Sequence, residues 1–408
     1  MSVSTSFAAA ALIALLVVPV DSALGDSPPQ RQLRTYALPD GTQSADISPD
    51  ERSVVTVGTK KLDVADSEKK TIVHVVQLWN FKEGKQLAEF TAQQSEVRVA
   101  PRGYHLDRSR TQPIVRFSPD GNIVVALIDR TIQVLRAANL TELRAFPLDA
   151  PDNVTRTSPG GGTFVHEPSV RAMEVSPDGE VVAVLWVSEI MIHGRIQLYD
   201  LSSGRSALSW DTPQGEIHFT RGIVWHPNGK LLLIAIPNES PCSSPDSRPD
   251  IFAFDAQTGA IKKKFRTGLL AGSIAVSADS HVLVVDLNCL GVFKNHDPKL
   301  KVFDLTTGKH LQSVSARETG ARYLVSASTD GSRFLAFTGK MAAKFDWSDA
   351  VAYGVAVDET FSVWRLANYE GIVTSQNIPG LKESELRLSS KGKYAVSYGK
   401  ASFVYELP

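Results

Sequence analysis

Cysteine is nearly absent from this chain of 408 residues: there are two, Cys242 and Cys289. So few exclude a small domain stapled by disulfides and a zinc site built from clustered thiolates. An excess of charge of one sign is missing as well, since 43 Lys and Arg face 44 Asp and Glu and leave a formal net charge of −1. That balance provides no bulk attraction to nucleic acid, which is not expected as a partner, or to an anionic membrane surface. The nine histidines contain no His-x-x-x-His or His-Glu-x-x-His pair, so no metal or general-base site is readable. Gly160, Gly161 and Gly162 form a run that does not end in Gly-Lys-Ser/Thr, and no Gly-x-Ser-x-Gly elbow occurs. No catalytic residue, cofactor or metal ligand is therefore assigned. Long apolar runs are lacking except near the start, where Ala8 to Val20 is uninterrupted. It falls short of the roughly 20 residues a membrane span needs. With Asp21 and the small Ala23 and Gly25 behind it, the stretch predicts a signal peptide over residues 1–25, cleaved near Gly25, and hence an extracytoplasmic (secreted or periplasmic) chain. Because Lys and Arg are absent before it, an uncleaved N-terminal membrane anchor is the alternative. Residues 26–30, with Pro28 and Pro29, read as a linker.

What the chain does have is apolar residues, 43% of it, and a turn that recurs. Seven copies begin at Ser48, Ser118, Ser176, His226, Ser277, Ser328 and Ser389, with Ser118-Pro119-Asp120-Gly121 the fullest example. Serine, proline, aspartate and glycine in this order suit a type I turn, proline fixing φ and glycine freeing the last position. A short alternating segment precedes each copy, as Ile114 to Phe117 does, and an apolar one follows it, as Asn122 to Ile128 does. A third segment then ends in an aromatic and a polar residue, Tyr199-Asp200 or Phe303-Asp304, and a fourth follows a Gly turn. Four strands per repeat make a propeller blade.

On these turns and aromatic-Asp strand ends, the chain resembles the WD-repeat-like β-propeller superfamily over residues 31–408. It lacks the Gly-His pair before each blade and has Trp at only two third-strand ends, Trp79 and Trp364. The expectation is an all-β, seven-bladed propeller of four-stranded antiparallel blades forming one domain. The last repeat stops one strand short, and Gln32 to Leu38 has the pattern of the fourth strands. It is expected to complete the C-terminal blade and close the ring. Trp79, Trp364 and Tyr199 are expected to pack between blades.

Connections from second to third strand are long at residues 58–71, 188–195, 237–249, 288–299 and 339–359, and the fourth-to-first connections at 93–112 and 150–169 are long too. Strand alternation puts all of these on one face, the natural place for binding residues. The candidate interaction residues there are Arg102, Tyr104, His105 and Arg108 in one loop and Phe345, Trp347, Asp349 and Tyr353 in another, aromatics beside charges suiting a protein or polysaccharide partner. Cys242 and Cys289 fall in equivalent loops of adjacent blades, so they read either as a disulfide or as two thiols. Sequons at Asn139, Asn153 and Asn238 carry meaning only in a eukaryotic secretory pathway. The expected function is a non-catalytic interaction platform. The alternative is a propeller enzyme (hydrolase, lyase or dehydrogenase) with its active site at the mouth of the central channel.

Overall fold

The structure, a computed structural model, describes residues 33–62, 69–92, 95–98, 112–157, 161, 163–188, 193–215, 222–236, 250–268, 271–277, 279–286, 299–315, 321–327, 333–346, 351–365, 370–376, 385–399 and 402–407. In several strands the description covers the backbone only.

After β1 (Arg34–Ala37), sheet I comprises β2 (Thr42–Ile47), β3 (Val54–Leu62), β4 (Lys69–Asn80), β5 (Lys85–Thr91) and β6 (Ser95–Arg98). Sheet II holds β7 (Ile114–Phe117), β8 (Ile123–Ile128), β9 (Thr131–Arg136) and β10 (Glu142–Pro147), and a separate ribbon pairs β11 (Val154–Thr157) with β12 (Thr163–His166). Sheet III is β13 (Ser169–Val175), β14 (Val181–Val187), β15 (Arg195–Asp200) and β16 (Ser206–Asp211). Sheet IV is β17 (Ile223–Trp225), β18 (Leu231–Ala235), β19 (Ile251–Asp255) and β20 (Ile261–Phe265). Sheet V follows as β21 (Ala271–Val276), β22 (His281–Asp286), β23 (Lys299–Asp304) and β24 (His310–Ser315), and sheet VI as β25 (Ala321–Ala327), β26 (Arg333–Asp346), β27 (Val351–Arg365) and β28 (Glu370–Gln376). Sheet VII has β29 (Glu385–Leu388), β30 (Tyr394–Tyr398) and β31 (Phe403–Glu406), with β1 hydrogen-bonded to β31 in the order β1-β31-β30-β29.

Six of these sheets have four strands, and sheet I departs from the uniform four-stranded expectation with five. The reason lies in the length of β4: its Lys69–Ile72 portion runs past the reach of β5, and β6 pairs with it there. An uncovered backbone edge is an unsatisfied ladder, and a following segment of suitable length fills it. Arg34 pairs with Glu406 and Ala37 with Phe403, and the Leu38 N–H donates to the Ser402 carbonyl at 2.9 Å. Gln32 lies outside the described residues.

The fold is a β-propeller ring of antiparallel sheets. First strands meet one another, β2 with β7, β7 with β13, and so on through β17, β21, β25 and β29, which meets β2. They therefore line the axis. Second strands such as β8 and β14 are buried along almost their whole length, which is why they read as continuous apolar runs. Fourth strands such as β10 and β20 are mostly exposed and form the perimeter. The core lies between sheets. One cluster joins Val125, Phe146 and Leu148 of sheet II and the chain after it to Met173, Trp186 and Tyr199 of sheet III, and another joins Ala45 and Val54 of sheet I to Tyr394 and Val404 of sheet VII.

The perimeter gaps are filled the same way three times. An aromatic on the fourth strand lies on the third-strand aromatic of the next sheet: Phe146 on Tyr199, Trp210 on Phe254 and Phe265 on Phe303, with centroids 6.0, 5.6 and 5.4 Å apart. The Gly turn of that next sheet caps the aromatic so closely that a Cβ at Gly204 would stand 2.8 Å from the Phe146 ring.

Candidate functional site

The recurrent turns among the described residues lie at one end of the strands, and most share a set of bonds; the copy at Ser328 lies outside the described residues. The serine Oγ donates to the aspartate two residues on, at 2.6 Å in Ser48–Asp50 and 2.5 Å in Ser118–Asp120 and Ser176–Asp178, and in Ser277–Asp279 as well. It also accepts the N–H that opens the second strand, from Ile123 at 3.1 Å and Tyr394 at 2.9 Å. The fourth turn position is left-handed, φ 73° at Gly121, and Glu51 adopts it at 61° despite its side chain. Glu51 has a use there: Ser389 Oγ donates to its Oε1 at 2.5 Å, tying sheet I to sheet VII.

The opposite face is irregular. Segments 58–71 and 339–359, expected as loops, are instead hairpins. β3 and β4 stay paired out to Leu62 and Thr71, and β26 and β27 out to Asp346 and Val351. Their alternation of small, apolar and charged residues lets both arms pair without a Gly or Pro turn to announce them. Part of the 150–169 connection is likewise the ribbon of β11 and β12. Of the candidate interaction residues, Phe345 sits opposite Ala352 and Tyr353 opposite Lys344. Arg102, Tyr104, His105, Arg108, Trp347, Asp349, Cys242 and Cys289 lie outside the described residues.

The charged group nearest the axis was not singled out from the sequence. Arg387 of β29 makes a forked contact with Glu174 of β13, Nη1 to Oε1 at 2.6 Å and Nη2 to Oε2 at 3.1 Å, and its Nε lies 3.4 Å from Asp46 Oδ1 on β2. Arg116 of β7 adds a contact from Nε to Glu174 Oε1 at 3.2 Å and reaches Ser44 Oγ at 3.3 Å. Burial pushes the Glu174 carboxyl up, but the Arg116 and Arg387 guanidiniums outweigh it and hold it below the ordinary range. Burial likewise disfavours charge on Arg387, and Glu174 and Asp46 more than restore it, so its pKa is raised. Each of the four occupies the place two residues before a turn serine. Reading that column through the repeats gives Asp46, Arg116, Glu174, Val224, Ala275, Ser326 and Arg387, a signal available without any structure. Backbone N–H groups use the same column. Phe117 donates to Asp46 Oδ2 at 2.9 Å and Leu388 to Ser326 Oγ at 3.0 Å, each linking one sheet to the one before.

The cluster balances two guanidiniums with two carboxylates, and each charge lies against one of opposite sign. A Ser–His contact elsewhere is inert. His226 Nδ1 accepts the Asn228 N–H at 3.1 Å, so Nε2 carries the proton and donates to Ser280 Oγ at 2.9 Å. A histidine arranged this way cannot take a proton from that serine. Among the described residues no three His, Cys, Asp or Glu side chains are grouped to hold a metal ion. No helix among them is long and apolar enough to cross a membrane.

Sheet III holds a buried hydrogen-bond network of its own. Trp186 Nε1 and Tyr199 OH both donate to Gln197 Oε1, at 2.6 and 2.9 Å, and Tyr199 OH accepts the Asp149 N–H at 2.9 Å. Burial pushes the Tyr199 hydroxyl up to about 12. Tyr199 packs between sheets II and III, and Trp79 against the cluster shared by sheets I and VII. The Trp364 side chain is not described.

By fold the molecule is a β-propeller. A chain of a mitotic checkpoint complex superposes with a TM-score of 0.50 at 12% identity, covering 96% of this chain and 98% of that one. A chain of Kuenenia stuttgartiensis hydrazine synthase superposes with a TM-score of 0.55 at 13% identity, covering 93% and 97%. At such identities the likeness is one of fold. No family model and no curated protein matches the chain.

Proposed function

We propose that this chain is an exported, non-catalytic interaction platform: one propeller domain of seven blades over residues 31–408, closed by β1 and following a cleaved signal peptide, which engages a protein partner through its hairpin face. The observation that carries the reading is the contrast between the ends of the strands. One end is trimmed to repeated tight turns, while the other bears the β3–β4 and β26–β27 extensions, β6 and the β11–β12 ribbon. Projections of unequal length on a rigid support are what recognition of a specific surface requires. The side-by-side contacts of first strands, from β2 through to β29 and back to β2, support closure. One of the similar structures is of a multi-protein complex, which is compatible with a protein partner. Glycan binding by the aromatics of the 339–359 segment is the lesser form of the same reading.

The enzyme reading has one similar structure in its favour, a synthase. Against it stands the chemistry of the axis, where the convergent charges are spent on one another. The experiment is affinity capture from the native extracytoplasmic fraction, comparing the chain from residue 31 with a variant whose 60–71 and 340–358 hairpins are cut to two-residue turns. A partner held by the first and lost by the second, at equal thermal stability, supports the platform. Retention by both moves the site off this face, and turnover of a small molecule by both displaces the platform in favour of an enzyme.

A further inference from the structure

Glu174 and Arg387 belong to sheets that are not neighbours. From sheet III one reaches sheet VII through II and I in one direction, and through IV, V and VI in the other. A 2.6 Å contact between them can only span the axis. Sheet VII is also the sheet built from the first and last strands, and among the described residues β1 is held in it by the four residue pairs Arg34–Glu406, Thr35–Tyr405, Tyr36–Val404 and Ala37–Phe403, with the Tyr36 hydroxyl donating to Glu406 Oε2 at 3.0 Å.

We propose that Arg387, Glu174, Arg116 and Asp46 form a cross-axis clamp that pins the sheet containing the chain-end seam to the far side of the ring and keeps the seam from opening. The fork from Arg387 fixes direction as well as distance, which a lysine would not do. Asp46 draws the same guanidinium toward sheet I, and Arg116 holds Glu174 from sheet II, so one carboxylate and one guanidinium couple four sheets. Glu174 and Arg387 keep 20% and 29% of their side-chain surface open, so the clamp lines a narrow axial space rather than a dry core. Sheets IV and V contribute Val224 and Ala275 at the same column and take no part. The inference rests on the ring closure proposed above, which removal of β1 tests separately.

Hydrogen exchange followed by mass spectrometry on the intact chain tests it. Glu174→Gln should speed exchange about tenfold to a hundredfold in peptides containing β1 and β31, with β18 and β19 of sheet IV unchanged. Arg387→Lys, which keeps the charge and loses the fork, should do so to a smaller degree and remains readable if Glu174→Gln fails to fold. Ile234→Val in sheet IV is the control, a comparable loosening placed off the axis. Faster exchange confined to the seam in either axial variant supports the clamp. Uniform acceleration matching the control, or no change at β1 and β31, overturns it.

Discussion

The two faces of the ring obey different rules. On the turn face the same hydroxyl, carboxylate and N–H meet in one repeat after another, because each turn sets where a first strand ends and the second begins. A change there would be felt at the axis. On the hairpin face the second-to-third connection is two residues in sheet II, Asp129 and Arg130, both with positive φ, yet a long paired extension in sheets I and VI. Length varies where the repeat does not need it to be constant, and a binding surface can diverge there without disturbing the scaffold.

This comparison can be pressed at its strongest point, the seam. A chain starting at residue 39 loses β1, the Leu38–Ser402 bond and the packing of Tyr36 on Phe81. The lost burial and hydrogen bonds sum to about 4–6 kcal/mol, and thermal unfolding should show it as a large drop in Tm against the chain starting at 31. An unchanged Tm would mean that β1 does not close the ring. A smaller effect separates close approach from conformation. Gly204→Ala faces both φ +74° and the Phe146 ring, whereas Gly84→Ala faces φ +62° with nothing within 4 Å of the new Cβ. Costs of about 3 and about 1 kcal/mol follow, so denaturant midpoints should rank them in that order. Equal midpoints would remove the close-packing argument. Ser118→Ala, on the turn face, leaves the Ile123 N–H without its acceptor and should cost about 2 kcal/mol. Shortening the 340–358 hairpin should cost much less.

How much of this was legible beforehand depended on whether the cause was local. The turns were readable because a type I turn is decided by four adjacent residues, and the strand order follows from them. Even β1 could be matched to Thr141–Leu148 by pattern. The hairpins of sheets I and VI were read as loops because no Gly or Pro lies between their paired arms, at residues 63–68 or 347–350. The pairing is decided by register with the opposite arm. The ion cluster was invisible for a different reason: Asp46, Arg116, Glu174 and Arg387 span more than 300 positions along the chain, and only a ring brings them to one point. His226 was readable as the residue that opens a turn where other repeats have serine, but its bond to Ser280 of the next sheet was not.

The last test sets carboxylates of the two faces against each other. On the turn face burial raises Asp120, but bonds from Ser118 and Asn122 outweigh it and hold it below the ordinary carboxylate range. At the hairpin end of sheet IV, Asp250 accepts from the Thr267 N–H at 2.9 Å and from its Oγ1 at 2.5 Å, yet burial dominates and pushes it up to about 6. Below pH 3.8, the ordinary Asp value, folded and unfolded chains both hold this proton. Between 3.8 and about 6 the folded chain keeps a proton that the unfolded chain releases, so stability falls as pH rises through that window. Above it the cost stays constant. Asp250→Asn keeps an acceptor for the Thr267 N–H and supplies a donor for its hydroxyl without the charge. It should stabilise the chain by about 1–2 kcal/mol above the window and by nothing below it, read from Tm across the pH range. A gain independent of pH would show that Asp250 does not titrate there, and that buried carboxylates on the two faces are held alike.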